Sequence, residues 1–426
     1  MIKLDELNFS MPDGEHYFSG YYERNIFDSA STRILACRSK FYDRLPVGSD
    51  TLEIGFFRFK ESNKFNYLTE TNAWNWQQGC MLQWIPNSDD KKLIYNDVHG
   101  GRFVSVVFDL ERDTKTYLDM AYYGLSHDGL FAFCVDNEHH YWCRKGYHYE
   151  GVINKDKGNP NFHGDGIWRI EIASGIILKI VSVDHLIQYK KKDSMDGAIH
   201  FIDSVQVSPD DTRVLFFHRW ISPESGAMYT RMYTSDTDGK NLFLLNDGGR
   251  MTHVCWRNST QILGLGAGDN NLSKKRNNSF LKRFLFDPFM PVYRRITASN
   301  FSFIKQFKKI VTGDSYLLFH DQVDGSTPLN HQALSDDGHP SFSPVNSNML
   351  VSDRYPDLTS GDQLLFVYDF NNQEFAKHSK IVHDLEFINT PMRSDLHPKW
   401  SNCGQFVSVD VLQDNHRSIK IFQLSQ

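Results

Sequence analysis

The repeat near the C-terminus constrains the fold of this chain more than any other feature of its sequence. One copy runs from Arg393 to Ser401 and leads into the alternating run Phe406–Asp410. Two earlier copies, at Gly338–Pro344 and Thr252–Trp256, keep the same register, with a His three residues before an aromatic side chain. The His residues at this position are His253, His339 and His397. Further copies keep the strand pattern and lack the His: 204–217, 122–133, 81–97 and 21–36.

This repeat predicts a β-propeller. Short β-rich runs recur at intervals of about 40 to 60 residues, bounded by Gly, Asp, Asn, Ser and Pro, and helical periodicity is nearly absent. Because repeat units pack only on their neighbours, 426 residues can form one domain. We predict an all-β fold, a single seven-bladed β-propeller of four-stranded antiparallel blades over residues 1–426. The predicted blades are 14–68, 71–118, 119–182, 200–247, 250–297, 336–380 and 390–426, with an insertion at 268–335.

The two ends of the chain are expected to meet. A propeller whose last blade stayed open would leave an unpaired strand edge, and such edges are prone to aggregation. The early segment Ile2–Phe9 is therefore predicted to supply the outer strand that closes the ring.

Composition limits the function classes. Hydrophobic residues make up 40% of the chain and aromatic residues 14%, which predicts a folded protein with an aromatic-rich core. A net charge of -6 argues against a nucleic-acid partner, since such proteins neutralise phosphates with a basic face. Neither a signal-peptide pattern nor a long apolar run occurs, so we expect a cytoplasmic protein without a membrane partner. The six cysteines form no C-x-x-C pair and are predicted to be reduced core thiols.

The repeated histidines are the first candidate site. The first strand of each propeller blade lines the central channel, so His253, His339 and His397 are expected to converge near one end of the axis. Each of them alone could serve a structural role at the start of its blade, but three at one register fit a metal or anion site equally well. Imidazoles suit Zn, Mn, Fe or Ni, and we consider a divalent cation such as Mn, Zn or Ca as cofactor. The candidate fourth donor is Gln332, with His331 and Asp395 as alternatives.

The second candidate site lies in the fourth blade, at the end of its second strand. There Phe217-His218-Arg219-Trp220 places a guanidinium, which matches a carboxylate, at the end of an apolar strand; alternatively, Arg219 merely covers Trp220. A high density of His, Tyr and Arg on one rim suggests acid-base chemistry on an acidic substrate. The neighbouring candidates are His200, Asp203, Tyr229 and Arg231 on this blade, and His140, His148 and His163 in the polar insertion 139–165 of the third.

Several enzyme classes are excluded by missing motifs. The sequence contains no G-x-x-x-x-G-K-[ST] and no strand-led G-x-G-x-x-G for nucleotide phosphates. It also lacks the G-x-S-x-G nucleophile elbow of the α/β-hydrolases.

At these residues the chain resembles the seven-bladed propeller polysaccharide lyases, that is, the oligogalacturonate lyases and ulvan-lyase-like enzymes. The resembling segments are spread over most of the chain: 16–22, 75–79, 217–220, His253-x-x-Trp256, 339–343, 352–357 and 394–398. The resemblance implies β-elimination on a uronic-acid glycan, in which a metal, His or Arg neutralises the carboxylate while a base removes the C5 proton.

The resemblance also implies residue roles. Arg219 would bind the substrate carboxylate, His253 would lie near the base or metal, and His339 and His397 would be metal ligands. Where such lyases carry a His or Tyr, this chain has Asp203-Ser204, so the base has to come from elsewhere. The candidate catalytic residues are Arg219, His218, His163, Tyr229, Asp203 and His200.

Three functions remain open at this point. The leading hypothesis is a carbohydrate-active enzyme, a carbon-oxygen lyase acting on an acidic oligosaccharide or polysaccharide. A non-catalytic propeller that serves as a binding or assembly module would need the histidines only for structure. A glycoside hydrolase would place Asp203 and a second carboxylate such as Glu23 on either side of the bond. The sequence leaves the oligomeric state open.

Overall fold

A computed structural model describes residues 2–152, 159, 164–224, 226–267, 314–329 and 331–425. The chain forms seven antiparallel sheets of four strands each. The prediction of a seven-bladed β-propeller is confirmed.

The strands follow the chain from blade to blade. In the first three blades they are β2 (His16–Phe18), β3 (Ile34–Ser39), β4 (Leu52–Phe57) and β5 (Asn66–Thr71); β6 (Gln83–Trp84), β7 (Lys92–His99), β8 (Arg102–Asp109) and β9 (Thr114–Leu118); β10 (Tyr122–Leu125), β11 (Phe131–Cys134), β12 (Gly166–Glu171) and β13 (Ile177–Ser182). The fourth and fifth blades contain β14 (Ile199–Val207), β15 (Arg213–Ile221), β16 (Met228–Asp236) and β17 (Phe243–Gly249); β18 (Met251–Trp256), β19 (Gln261–Ala267), β20 (Asp314–His320) and β21 (Thr327–Pro328). The last two contain β22 (Ser341–Ser343), β23 (Asn346–Asp353), β24 (Asp362–Asp369) and β25 (Glu374–Val382); β26 (Lys399–Trp400), β27 (Phe406–Gln413), β28 (His416–Ser425) and β1 (Lys3–Glu6).

The ring is closed by the two ends of the chain. Strand β1 pairs antiparallel with β28, with Lys3 opposite Ser425 and Glu6 opposite Phe422. The N-terminal strand therefore covers the outer edge of the seventh blade, as predicted for Ile2–Phe9.

The core lies between neighbouring blades. Leu35 and Ile54 of the first blade pack in one cluster with Tyr95 and Val106 of the second. Because each sheet is covered on both faces, a middle strand such as β15 is buried at every residue from Arg213 to Trp220. All six cysteines are free thiols, and Cys403 alone among them is exposed.

The fifth blade differs from its predicted limits. Its third and fourth strands, β20 and β21, lie inside the range assigned to the insertion at 268–335 and not within 250–297. Strand β20 pairs with β19 in register from Asp314 to His320, although 46 residues (268–313) separate the two strands. Sequence proximity therefore could not identify the partner. Residues 268–313 lie outside the described part of the chain.

Helices are few among the described residues. Helix α1 (Asn137–Cys143) connects β11 to β12, and α2 (Val183–Gln188) connects β13 to β14; short 3-10 turns occur at Asp193–Met195, Gln332–Leu334 and Leu385–Phe387. The carboxylate of Asp136 caps α1 by accepting a hydrogen bond from the amide of His139 at 2.8 Å. In the described ranges, no helix has the length and apolar character needed to cross a membrane.

The residues after α1 reach across the ring. Gly151 lies so close to the first blade that a Cβ at this position would be 2.8 Å from the Cα of Gly48. Gly146 approaches Pro391, which lies between the sixth and seventh blades. Residues 144–151 therefore extend over the channel mouth instead of staying at the rim of their own blade.

Candidate functional site

The central channel is filled below its mouth by the segment Ser19–Asn25, which we call the plug. It leaves the first blade and contacts the first strands of other blades. The hydroxyl of Tyr22 donates to the carbonyl of Val254 in the fifth blade at 3.0 Å, and the amide of Asn25 donates to Gln83 in the second at 3.2 Å. The plug therefore forms the floor of the channel mouth.

Three histidines converge on this floor. The ring centroids of His253 and His339 are 4.3 Å apart, and those of His339 and His397 are 4.4 Å apart. All three side chains are buried. The plug packs against them, with the Tyr21 ring 5.1 Å from His397 and the Tyr22 ring 5.4 Å from His339. The equivalent repeat positions therefore meet at one end of the axis.

Carboxylates orient two of these rings. The Nδ1 atom of His253 lies 2.9 Å from Asp337, and the Nδ1 atom of His339 lies 3.0 Å from both oxygens of Asp353. Burial disfavours the charged form of His339, but Asp353 outweighs burial and raises the pKa of this imidazole. A carboxylate on Nδ1 places the proton there and leaves the lone pair on Nε2, which is the usual arrangement behind metal-bound histidines.

The third ring has a free nitrogen. The Nε2 atom of His397 is buried without a hydrogen-bond partner among the described residues. Burial and then the neighbouring His339 hold the pKa of His397 well below its ordinary value, so this ring is neutral. A carboxylate oxygen of Asp395 and ring nitrogens of His339 and His397 lie within 4.8 Å of one another. Imidazole nitrogens together with a carboxylate form a candidate site for a divalent cation.

The three candidates for a fourth donor lie in different places. Gln332 is exposed, and its carbonyl oxygen accepts a hydrogen bond from Arg354 at 3.0 Å. His331 caps the same 3-10 turn by accepting from the amide of Ala333. Of these candidates, Asp395 lies beside the histidines, because it precedes His397 by two residues in the segment that leads into β26. Gln332 belongs to a 3-10 turn.

Arg393 completes this side of the mouth. Its guanidinium forms a two-pronged ion pair with Asp395, at 2.7 and 2.9 Å. It also lies 4.6 Å from the ring centroid of Tyr355, whose hydroxyl is 3.4 Å from Nε2 of His253. Positive charge therefore lies at the edge of the histidine cluster.

The opposite side carries a buried charge cluster around Asp203. One carboxylate oxygen lies 2.8 Å from Arg219 Nε and 2.8 Å from Arg144 Nη1, and the other lies 3.6 Å from His140 Nε2. Burial alone would raise the pKa of Asp203, but Arg219, His140 and Arg144 together hold it well below its usual value. Two guanidinium groups face one carboxylate, so the cluster keeps one net positive charge.

Arg144 and Arg219 differ in exposure. The Arg144 side chain is 29% exposed and that of Arg219 only 5%. Arg219, predicted to bind a substrate carboxylate, is thus occupied by the chain's own Asp203. Arg144 is not among the residues predicted from the sequence. It follows the histidines of the polar insertion, and its Arg-x-x-Tyr spacing to Tyr147 was the available signal.

Three predicted catalytic residues lie on another face of the fourth blade. Successive residues of a strand point to opposite faces, so His218 faces away from Arg219. His218 Nε2 lies 3.0 Å from His200 Nδ1, and Tyr229 stacks on Trp220 with a centroid distance of 5.4 Å. These side chains belong to the packed interior of the blade. His163 lies outside the described residues.

The third-blade insertion is anchored by the second blade. The side-chain amide of Asn75 donates to the backbone carbonyl of His148 at 2.9 Å, and the side-chain oxygen of Gln78 accepts from the backbone amide of His148 at 3.0 Å. The His148 ring is bound to Asn137 and lies 4.0 Å from that of His140. Burial lowers the pKa of His148 to about 3, so the ring is neutral. The segment 75–79 therefore holds the part of the insertion around His148 over the mouth.

Solved structures of other proteins share this fold. No family model and no curated protein matches the sequence. Among solved structures, an oligogalacturonate lyase in complex with manganese matches with a TM-score of 0.60 and 12% identity, over 100% of this chain and 96% of the lyase. A second oligogalacturonate lyase, from Vibrio parahaemolyticus, matches with a TM-score of 0.58 and 10% identity, over 99% of this chain and 96% of that one. The chain shares its fold with oligogalacturonate lyases.

The same fold also serves other activities. The β-propeller domain of the Trilobed protease from Pyrococcus furiosus matches with a TM-score of 0.51 and 9% identity, over 98% of this chain and 96% of the domain. The similarity to oligogalacturonate lyases therefore establishes the architecture, and the function has to be argued from the residues of the site.

Proposed function

We propose that this protein is a lyase that cleaves a uronic-acid-containing oligosaccharide by β-elimination at a metal site in the propeller mouth. The observation that carries the proposal is the donor set His339, His397 and Asp395. The ring of His253 lies beside it, with its centroid 4.3 Å from that of His339. Tyr21 connects the two sides, since it packs on His397 while burial and then surrounding groups including Asp203 raise its pKa.

The residues present fit a divalent cation. His253 and His339 would bind through Nε2, because their Nδ1 atoms are held by Asp337 and Asp353. His397 offers a buried nitrogen without a partner among the described residues. The lyase of similar fold is described in complex with manganese, so we propose Mn²⁺. A bound Mn²⁺ would act as a Lewis acid toward the uronate carboxylate.

The charge cluster supplies recognition of the acidic sugar. Its net positive charge attracts a carboxylate, and the partly exposed Arg144 offers the planar fork that matches one. Arg219 lies behind it and keeps Asp203 ionised. We therefore assign carboxylate binding to Arg144 and support of that residue to Arg219.

The structure suggests Tyr147 as the base. Its ring centroid lies 3.7 Å from the Arg144 guanidinium carbon. Burial would lower the pKa of Arg393, but Asp395, Tyr355 and Tyr147 raise it, so Tyr147 also interacts electrostatically with this second guanidinium. In the proposed reaction the phenolate oxygen of Tyr147 takes the C5 proton, the C5–H electron pair forms the C4=C5 double bond, and the 4-linked oxygen leaves with its bonding pair.

The proposed activity predicts an unsaturated product. Oligogalacturonate incubated with the protein and Mn²⁺ is expected to give rising ultraviolet absorbance, because elimination creates a double bond conjugated with the carboxylate. The same oligosaccharide with its carboxyl groups reduced to alcohols is the control and should stay silent, since C5 is then no longer acidic. A flat trace across a panel of uronic-acid oligosaccharides would contradict the proposed function.

Replacement of Tyr147 by Phe tests the base. We expect turnover to fall by about 10²- to 10⁴-fold, the usual contribution of general acid-base catalysis. Mn²⁺ affinity, measured by calorimetric titration, should be unchanged, since Tyr147 is not among the proposed ligands. Tyr141→Phe, in the helix of the same insertion, is the matched control and should keep full activity. Turnover near the wild-type rate in Tyr147→Phe would rule out this assignment.

A glycoside hydrolase is the second candidate. Burial raises the pKa of Glu23 in the plug to about 7, whereas Asp203 stays ionised, and a pair of carboxyl groups with separated pKa values is typical of glycosidases. Against it, Asp203 is enclosed by two arginines. A hydrolase would release reducing ends from the same oligosaccharides without any unsaturated product, so the two assays separate the candidates.

A further inference from the structure

We propose that Lys399 is a positioning residue that holds His397 and the plug in a single arrangement, so that the histidine cluster is preformed for a cation. The inference rests on the proposed function through the metal site. Lys399 opens strand β26, two residues after His397, inside the C-terminal copy of the repeat.

The ammonium group of Lys399 is buried and bound on several sides. The side chain is 1% exposed. Its Nζ atom donates to the carbonyl of His397 at 3.0 Å and to the hydroxyl of Ser19 at 2.9 Å, and it lies 3.9 Å from a carboxylate oxygen of Asp410. An ammonium has three donors, and here two of them are directed at a proposed ligand and at the first residue of the plug.

The backbone of His397 needs this support. Its φ angle is +45°, in the left-handed region that a residue with a side chain adopts only under constraint. The amide of His397 donates to Asp353 at 3.3 Å, and the carbonyl accepts from Lys399. Because Asp353 also holds His339, the two anchors fix His397 relative to its neighbour in the cluster. Loss of the Lys399 anchor would allow the backbone to relax and the ring to turn away.

The plug is the second segment that Lys399 holds in place. Asp410 accepts hydrogen bonds from the amides of Ser19 and Gly20, both at 2.9 Å, and from the Ser19 hydroxyl at 2.7 Å. Gly20 has a φ of +82°, and a Cβ there would lie 2.6 Å from the carbonyl oxygen of Gln78, so this turn admits only glycine. Lys399 thus connects this turn, through Ser19, to His397, whose ring packs against Tyr21.

The distances distinguish positioning from charge balance. An ammonium that only neutralised Asp410 would donate directly to it, yet the separation of 3.9 Å exceeds both hydrogen bonds that Lys399 makes elsewhere. Asp410 itself is occupied by the plug. Substitutions that remove the charge and the hydrogen bonds separately should therefore have different effects.

The experiment compares Asp410→Asn with the double variant Lys399→Met/Asp410→Asn, using Mn²⁺ titration calorimetry and the melting temperature. Lys399→Met alone leaves Asp410 buried without a cation and should melt lower; the double variant removes this imbalance and should recover. We expect the double variant to bind Mn²⁺ about 10-fold more weakly than Asp410→Asn, as is typical when the support of a ligand is lost.

Each outcome decides between the two proposals. Equal Mn²⁺ affinity in the double variant and in Asp410→Asn would overturn the positioning role and leave the metal site intact. Wild-type protein that takes up no Mn²⁺ would overturn the metal site and the positioning role with it. If the Lys399 variants do not fold, Ser19→Ala keeps both charges and removes one acceptor of the ammonium. It should weaken Mn²⁺ binding and lower the melting temperature only slightly, since the hydrogen bond from Ser19 to Asp410 is lost as well. Unchanged binding would overturn the proposal.

Discussion

Replacing His339 by Ala is expected to abolish stoichiometric Mn²⁺ binding and to lower turnover on a uronic-acid oligosaccharide by at least about 10³-fold. His339 is the central ring of the cluster, within 4.4 Å of both neighbours, so its removal leaves His253 and His397 without the ligand between them. A Lewis acid supplies several kcal/mol of charge stabilisation, and about 1.4 kcal/mol corresponds to a factor of ten in rate. Elemental analysis and calorimetric titration measure the binding directly.

The control for this variant is His331→Ala. The His331 ring packs on Tyr368 at 4.6 Å and belongs to a 3-10 turn, so metal content and turnover should stay at the wild-type level. The melting temperature of both variants has to be followed, because Asp353 loses its partner in His339→Ala. A folded His339→Ala protein with one Mn²⁺ per chain would contradict the proposed site.

Asp203→Asn is expected to lower the free energy of unfolding by about 3–5 kcal/mol at neutral pH. Asp203 is the carboxylate shared by Arg219 and Arg144, and removing one partner of a buried ion pair leaves a charge without compensation. Urea denaturation measures the effect. Asp238→Asn, on an exposed hairpin of the same blade, is the matched control and should unfold at nearly the wild-type urea concentration. A similar midpoint for both variants would show that the cluster does not stabilise the fold.

The stability difference between wild type and Asp203→Asn should depend on pH. The pKa of Asp203 is held below its unfolded-state value of about 3.9, so its stabilisation is fully present above that pH. It is lost as the pH falls through the folded-state pKa. The urea midpoints of the two proteins should therefore differ most near neutral pH and approach each other in acid. A constant difference would assign the effect of the substitution to packing instead of charge.

The sequence by itself determined the ring and one half of the site. A His three residues before an aromatic residue in three copies of a repeat predicts convergence, because the first strands of all blades surround one axis. His253, His339 and His397 indeed meet there. The closing strand β1 followed from the cost of an unpaired edge.

The grouping of Arg219 with His200, His218 and Tyr229 could have been avoided from the sequence. His218 and Arg219 are adjacent in sequence, and the alternation of a strand places them on opposite faces. A count of His, Tyr and Arg near one rim grouped Arg219 with His200, His218 and Tyr229, whereas the period of two separates them. Residue density predicts a site only after each residue has been assigned to a face.

Tertiary structure alone decided the other half of the site. Arg144 and Tyr147 reach the mouth because Gly151 packs on the first blade and Gly146 approaches Pro391, contacts between residues far apart in the chain. In sequence, the plug looks like any loop that follows a strand. Its role depends on partners in other blades, such as Asp410 and Val254. Local patterns specify which face of a strand a residue occupies, but the direction of a loop is set by the surfaces that receive it, and those surfaces exist only in the assembled ring.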